Sequence, residues 1–363
     1  MVPPPDDPFP SGDLLALTAT LVDIPSPSFS ESVIVDALEV SLRACAHLEV
    51  DRIGDNVVAR TMGGQPRRLI LAGHTDTVPA NDNEVARVEG DRVYGVGSAD
   101  MKGGLAVMLE LARTVTEPAI DVTYIFYARE EVAAEHSGLH ELFAARPDLL
   151  AGDAALLGEP TSAAIEAGCQ GTLRMQVVLA GDRAHTARPW MGRNAIHRLS
   201  GLLGAIDAYE PRRPIIEGCE FREALSAVAV SGGIAGNVVP DRVELVLNHR
   251  FAPDRSPAEA EAHIRDLLAP FLEAGDTAEV VDVAGGAWPA VGDPVVQALI
   301  ASENLTVGAK LGWTDAATFS AHGIPAANFG PGDATIAHTA GEFVEREGLD
   351  AVHRGLCSVL LGT

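Results

Sequence analysis

Cysteine and lysine are scarce in this sequence, and each scarcity excludes something. Cys45, Cys169, Cys219 and Cys357 are the only cysteines; they lie far apart and form no Cys-x-x-Cys pair. A thiolate zinc site and a disulfide framework are thereby excluded, and free thiols in a reducing compartment are expected. Lys102 and Lys310 are the only lysines, so arginine supplies the other bases. Positive charge is short overall, with 26 Lys and Arg against 51 Asp and Glu and a net charge of −25. Such a chain repels phosphate backbones and anionic lipid, which excludes nucleic acid and membrane surfaces as partners. No run approaches the ~18 apolar residues of a membrane helix. Residues 1–10 lack the basic start and apolar stretch of a signal peptide, so a cytoplasmic protein is expected. No internal repeat or low-complexity linker interrupts the chain.

What is present is ordinary globular composition, 47% hydrophobic over 363 residues, enough for two domains or one large one. Residues 11–45 read as helical, with Ser30 placed to cap a helix carrying Val33, Ile34, Ala37, Leu38 and Leu42 at near-3.6 spacing. Strands follow at 56–60, 68–73, 122–127 and 154–157, alternating with helices at 103–114 and 137–144. The near-continuous apolar strands predict an α/β sheet buried on both faces by helices. Beyond Gly171 the pattern changes to half-exposed strands at 173–180, 242–251 and 278–283 and helices at 193–209 and 257–272. The α/β style then returns, with helices from Pro294, at 314–321 and from Glu347, and a strand at 326–329. The expected organisation is a discontinuous α/β domain (1–171 and 284–363) interrupted by an inserted α+β domain (172–283).

Five segments at strand ends carry the candidate chemistry. His74-Thr75-Asp76 ends an apolar strand; positions two apart share a face, so Asp76 is placed to turn back to the free ring nitrogen of His74 and fix its tautomer. Asp100 sits in the glycine-rich turn 95–104, which lacks the Gly-x-x-x-x-Gly-Lys-Ser/Thr spacing of a phosphate loop and suits a cation better. Glu130-Glu131 follows the strand at 122–127, and adjacent side chains point apart, so one can bind a metal while its neighbour faces a water. Glu159 follows the short strand at 154–157, and His338 follows a Gly-Pro-Gly loop. One at a time, these segments also read as a core His-x-Asp, a helix-capping aspartate and an exposed acidic loop. Together they set two imidazoles and three carboxylates where open α/β sheets place their sites. That donor set suits two metals sharing a bridging carboxylate, which polarise a carbonyl and generate hydroxide at neutral pH.

In order and spacing, these five segments resemble the di-zinc aminoacylase/carboxypeptidase family of metallohydrolases, over essentially the whole chain. That family includes acetylornithine deacetylase, succinyl-diaminopimelate desuccinylase and glutamate carboxypeptidases. The resemblance implies an α/β zinc-peptidase-like domain, a mixed sheet with helices on both faces, with an inserted α+β lid and dimerisation domain. It also implies two zinc ions per subunit, with cobalt as a substitute, and a homodimer formed through the lid. His74 and Glu159 would hold one zinc, Glu131 and His338 the other, and Asp100 would bridge them. Asp76 would orient His74, Glu130 would be the general base, and a cis peptide would fall at Asp100-Met101. In the insert, the segment 181–187 resembles the family's lid histidine segment, so His185 would reach the other subunit's site and stabilise the oxyanion. Asn237, in the segment 232–240, would help to bind substrate, and Arg250 would contact a substrate carboxylate.

The substrate implied is a small N-acyl amino acid. The stretches 166–174, 183–188 and 312–317 resemble the branch of the family that cleaves N-succinyl-LL-2,6-diaminopimelate. One departure stands out: Cys169-Gln170 occupies the place where many members of that branch carry two arginines. Arg174, Arg183 or Arg188 would then supply the carboxylate-binding forks. An acetylornithine deacetylase or another N-acyl amino acid hydrolase would share every metal ligand. An inactive binding or assembly protein on the same scaffold is the alternative outside enzymes, and the complete ligand set with Glu130 argues against it.

Overall fold

The computed structural model describes residues 7–363. Contacts divide the chain into two units. The first comprises residues up to 168, 289–308 and 314–363, and the second 169–288 and 309–313.

The first unit is built on an eight-stranded mixed sheet. Its order is Leu48–Ile53, Asn56–Thr61, Asp121–Tyr127, Arg68–His74, Ala154–Leu157, Ala326–Asn328, Ile165–Ala167 and Val307–Ala309. The four central strands, from Asp121–Tyr127 to Ala326–Asn328, run parallel to one another, and the strands on either side of them run antiparallel. Asp121–Tyr127 and Ala154–Leu157 are buried at every position, and Arg68–His74 at all but its first. This is the burial expected of continuous apolar strands covered on both faces. The helix Gly103–Thr114 packs on two of these strands and is buried along nearly its whole length. Gly104 permits that close fit, since a Cβ there would collide with the Gly158 carbonyl. The sheet therefore delivers four strand ends, and the loops leaving them, to one edge.

The expected helical stretch 11–45 resolves into two helices, Leu14–Val22 and Ser32–Arg43, with a turn-rich segment between them. Ser30 does not cap the second. Glu31 occupies the cap position without a side-chain bond to the helix, while the Ser30 amide donates to the Pro27 carbonyl. The first helix is capped by Asp13, whose carboxylate accepts the amides of Leu15 and Ala16.

The second unit is a four-stranded antiparallel sheet in the order Ala224–Gly232, Arg242–Phe251, Gly171–Ala180, Thr277–Ala284, with helices Ala195–Asp207 and Pro257–Leu268. One face carries its core, Leu173, Met175, Val177, Val243, Leu245 and Leu247 among others, against Leu199, Leu202 and Ile264 of the helices. A capping box at Ser256 and Glu259 starts the second helix. The unit extends beyond the expected 172–283. Cys169 and Ala287 form a reciprocal backbone bridge, the Gln170 amide donates to the Lys310 carbonyl, and the Trp313 indole donates to the Gly285 carbonyl. Those bonds tie Cys169, Gln170, Gly285, Ala287, Lys310 and Trp313 together within the second unit. Among the described residues, no helix is long and apolar enough to cross a membrane.

Candidate metal centre

The parallel strands place the candidate residues in the first unit. His74 ends one central strand, Glu130 and Glu131 follow the next, and Glu159 follows a third. Asp100 lies in the turn before the helix Gly103–Thr114, and the Asp100–Met101 peptide is cis. One donor atom each from His74, Asp100 and Glu131 fall within 4.8 Å of one another. His74 Nε2 is 3.2 Å from Asp100 Oδ1, and His338 Nε2 is 3.4 Å from Asp100 Oδ2. Asp100 thus turns one oxygen to each imidazole. His338 Nε2 also lies 2.8 Å from Glu131 Oε1. His338 and Arg129, beside the glutamate pair, both hold positive φ, at 63° and 62°. Such backbone conformations are costly for non-glycine residues and gather at functional sites.

Asp76 differs from its expected role. The ring nitrogen Nδ1 of His74 meets the backbone carbonyl of Asp76 at 3.0 Å, while the nearer carboxylate oxygen is 3.6 Å away. The carboxylate is occupied elsewhere: it accepts the Ser28 hydroxyl at 2.7 Å and the amides of Glu130 and Glu131 at 3.0 and 3.1 Å. Three donors turn it toward the glutamate pair, so Asp76 fixes both His74, through its main chain, and the start of the Glu130-Glu131 loop.

The electrostatics favour a cation. Burial opposes a charged His74, yet the carboxylates of Asp100 and Asp76 outweigh it and raise the imidazole well above its ordinary value. Hydrogen bonds to Asp100 and Glu131 raise His338 to about 10. Burial would raise Asp76, but His74 and the bonds from Ser28 and the Glu130 amide bring it down to about 2. Burial, then the neighbouring carboxylates of Glu159, Glu131 and Asp315, push Glu130 well up against the opposing pull of His74. Buried Glu159 also acts on His74. Several carboxylates gathered around two imidazoles, His74 buried and His338 half exposed, favour a compensating positive charge. With nitrogen and oxygen donors only, the set fits zinc or a similar divalent ion.

The remaining candidates lie in the second unit. The His185 and Asn237 segments pair there: the Thr186 amide donates to the Asn237 carbonyl at 3.0 Å, and His185 bridges Val238. The His185 ring is turned locally, its Nδ1 accepting the Ala187 amide. Arg183 is held by Asp241 at 2.6 Å, and Arg188 is exposed. Arg174 and Arg250 stand on adjacent strands two registers apart, close enough that Arg174 helps burial to lower Arg250. Sequence reasoning missed Ser28, Asp315 and Glu342. Asp315 lay in a stretch singled out for its resemblance alone. Ser28 and Glu342 act on partners far along the chain, and no spacing signals them.

The profile of peptidase family M20/M25/M40 matches residues 70–361. The chain belongs to that family. Membership makes it a metal-dependent hydrolase. It is 47% identical over 337 residues to a protein of Corynebacterium glutamicum named succinyl-diaminopimelate desuccinylase, covering 91% of each chain. A Mycobacterium tuberculosis protein provisionally given the same name is 48% identical over 334 residues, 92% of this chain and 94% of that one. Among solved structures, a tripeptidase of Staphylococcus aureus has the same fold, with a TM-score of 0.77 at 21% identity over 97% of this chain and 98% of the other.

Proposed function

We propose that the protein hydrolyses N-succinyl-LL-2,6-diaminopimelate to succinate and LL-2,6-diaminopimelate, a cytoplasmic step of lysine and diaminopimelate biosynthesis. The observation that carries this reading is the 47–48% identity to two proteins of that name over more than nine-tenths of the chain. The donor set of the first unit supports the chemistry.

In this reading His74 and Glu159 would hold one zinc ion, Glu131 and His338 a second, and Asp100 would contribute to both. Metals held there would supply polarisation of the scissile carbonyl and a more acidic water. Glu130 takes the proton from that water and later gives it to the leaving amine. Asp76 fixes the loop that carries Glu130. His185 meets the charge that develops on the carbonyl oxygen. Arg174 and Arg250 take substrate carboxylates, and Asn237 helps to bind substrate; among the described ion pairs neither arginine has a carboxylate partner, whereas Arg183 does.

The same reading includes a homodimer. The strand Ala224–Gly232 is an edge of its sheet and is exposed along nearly its whole length. Val228, Val230 and nearby Ile234 are 55%, 61% and 64% exposed. An open apolar edge is a template for pairing with another chain.

Side-by-side assay of the zinc-loaded protein on N-succinyl-LL-2,6-diaminopimelate and N-acetylornithine tests the substrate. Preference for the succinyl compound by at least ~100-fold in kcat/KM is expected, because bidentate arginine pairing with the succinyl carboxylate is lost with a substrate that lacks it. Equal rates would favour a broad N-acyl amino acid hydrolase, and no turnover with both metals bound would favour a binding protein.

A further inference from the structure

Glu342 is almost fully buried, four residues beyond His338 and more than two hundred residues from the Asp100 turn. Its carboxylate oxygen Oε1 accepts the backbone amides of Ala99 at 2.9 Å and Asp100 at 3.1 Å. Its own amide donates to the Thr339 carbonyl at 3.1 Å, closing the loop that carries His338. Its carbonyl accepts the Gly95 amide at 3.1 Å, at the start of the glycine-rich turn. One residue is thus bonded on three sides, and two of those sides belong to loops that present metal donors.

The turn has few other means of holding Asp100 in place. Residues 100 and 101 depart from helical φ and ψ, at −125° and 91° and at −135° and 35°, so no helix ladder fixes them. The Ser98 hydroxyl has no hydrogen-bond partner. The amides of residues 99 and 100 would be buried and unsatisfied without Glu342, at a cost of about 1–3 kcal/mol each.

We propose that Glu342 is a positioning residue for the metal centre, whose carboxylate oxygen fixes the shared donor Asp100 while its main chain fixes the loop of His338. This rests on the metal-ligand assignment above. The property used is the reach of one acceptor oxygen to two amides. Glutamine keeps that oxygen at the same distance and removes the charge. Aspartate keeps the charge and withdraws the oxygen by one methylene. Alanine removes both.

The test is metal affinity, read by titrating metal-free protein with zinc against a competing chelator, and by the visible absorption of the cobalt-loaded form. In E342A and E342D the affinity of the weaker site should fall about 10–100-fold and the cobalt spectrum should change. E342Q should bind within about threefold of the parent with the parent's spectrum, while kcat follows affinity and KM stays nearly constant. Should E342A fail to fold, the contrast between E342D and E342Q decides alone. Unchanged affinity and spectrum in E342D would overturn the proposal, and so would equal losses in E342D and E342Q. Failure of the parent to bind two metals would instead overturn the ligand assignment.

Discussion

Glu130 and Glu131 are neighbours in sequence for which different tasks are proposed, and their surroundings differ. Glu131 Oε1 meets His338 at 2.8 Å and joins the donor cluster. Glu130 is pushed up by burial and by carboxylates on several sides. Glu130→Gln should therefore leave the metals bound and stop turnover. The expected loss is about 10²–10⁴-fold in kcat, with zinc content by elemental analysis unchanged. Retention of more than a tenth of the parent rate would remove Glu130 as the base. The candidate donors His74, Glu131 and Glu159 were noticeable in the sequence because they stand at or just after apolar strands, and strand ends are where such sheets build sites. The supports were not. Ser28 and Glu342 bind backbone amides or a carboxylate that only the fold brings near, and Asp76 carries its hydrogen bond to His74 on its carbonyl, an atom every residue has.

At the scale of elements, patterning succeeded where a segment is long and one-sided. The strand Arg242–Phe251 and the helix Gly103–Thr114 match their expected limits, since strict alternation and a continuous apolar helix leave little ambiguity. The edge strand Ala224–Gly232 was missed because it has no buried face to pattern. The short strands Arg87–Glu89 and Arg92–Tyr94 were missed as well, being three residues each. A less visible tie joins elements of the second unit. Arg198, on the helix Ala195–Asp207, grips Asp276 with two bonds of 2.7 and 2.6 Å, and Asp276 also accepts the amides of Ala180 and Glu273. Burial works against the charged carboxylate, but these bonds win and lower Asp276 to about 2. A folded-state value below the unfolded one stabilises the fold above the unfolded pKa, and the gain is lost as pH falls through the folded one. The linkage is worth roughly 2 kcal/mol at neutral pH, about half of it gone by pH ~3. Denaturant unfolding of the parent and Asp276→Asn at pH ~7 and ~3 should show the difference between them shrinking at the lower pH. A difference that stays constant or grows would exclude the linkage.

For the whole molecule, the question is whether one chain suffices. The open edge at Ala224–Gly232 offers backbone pairing, and a lysine on an edge strand blocks such pairing. Val230→Lys, at a position already 61% exposed, should fold normally and elute as a single chain in light-scattering chromatography, where the parent is expected to elute as two. If His185 serves the other subunit's site, this monomer should bind metal fully yet lose kcat by about 10²–10³-fold, as His185→Ala does. Subunit mixing separates that arrangement from a simple loss of stability. His185→Ala and Glu130→Gln are each inactive alone. Mixed in equal amounts and allowed to exchange, half the dimers carry one of each. One site in such a dimer then has an intact Glu130 from its own chain and an intact His185 from its neighbour. Activity should return to about a quarter of the parent's, the statistical share for a twofold dimer. If His185 acted within its own chain, every site in the mixture would lack one group and no activity would return.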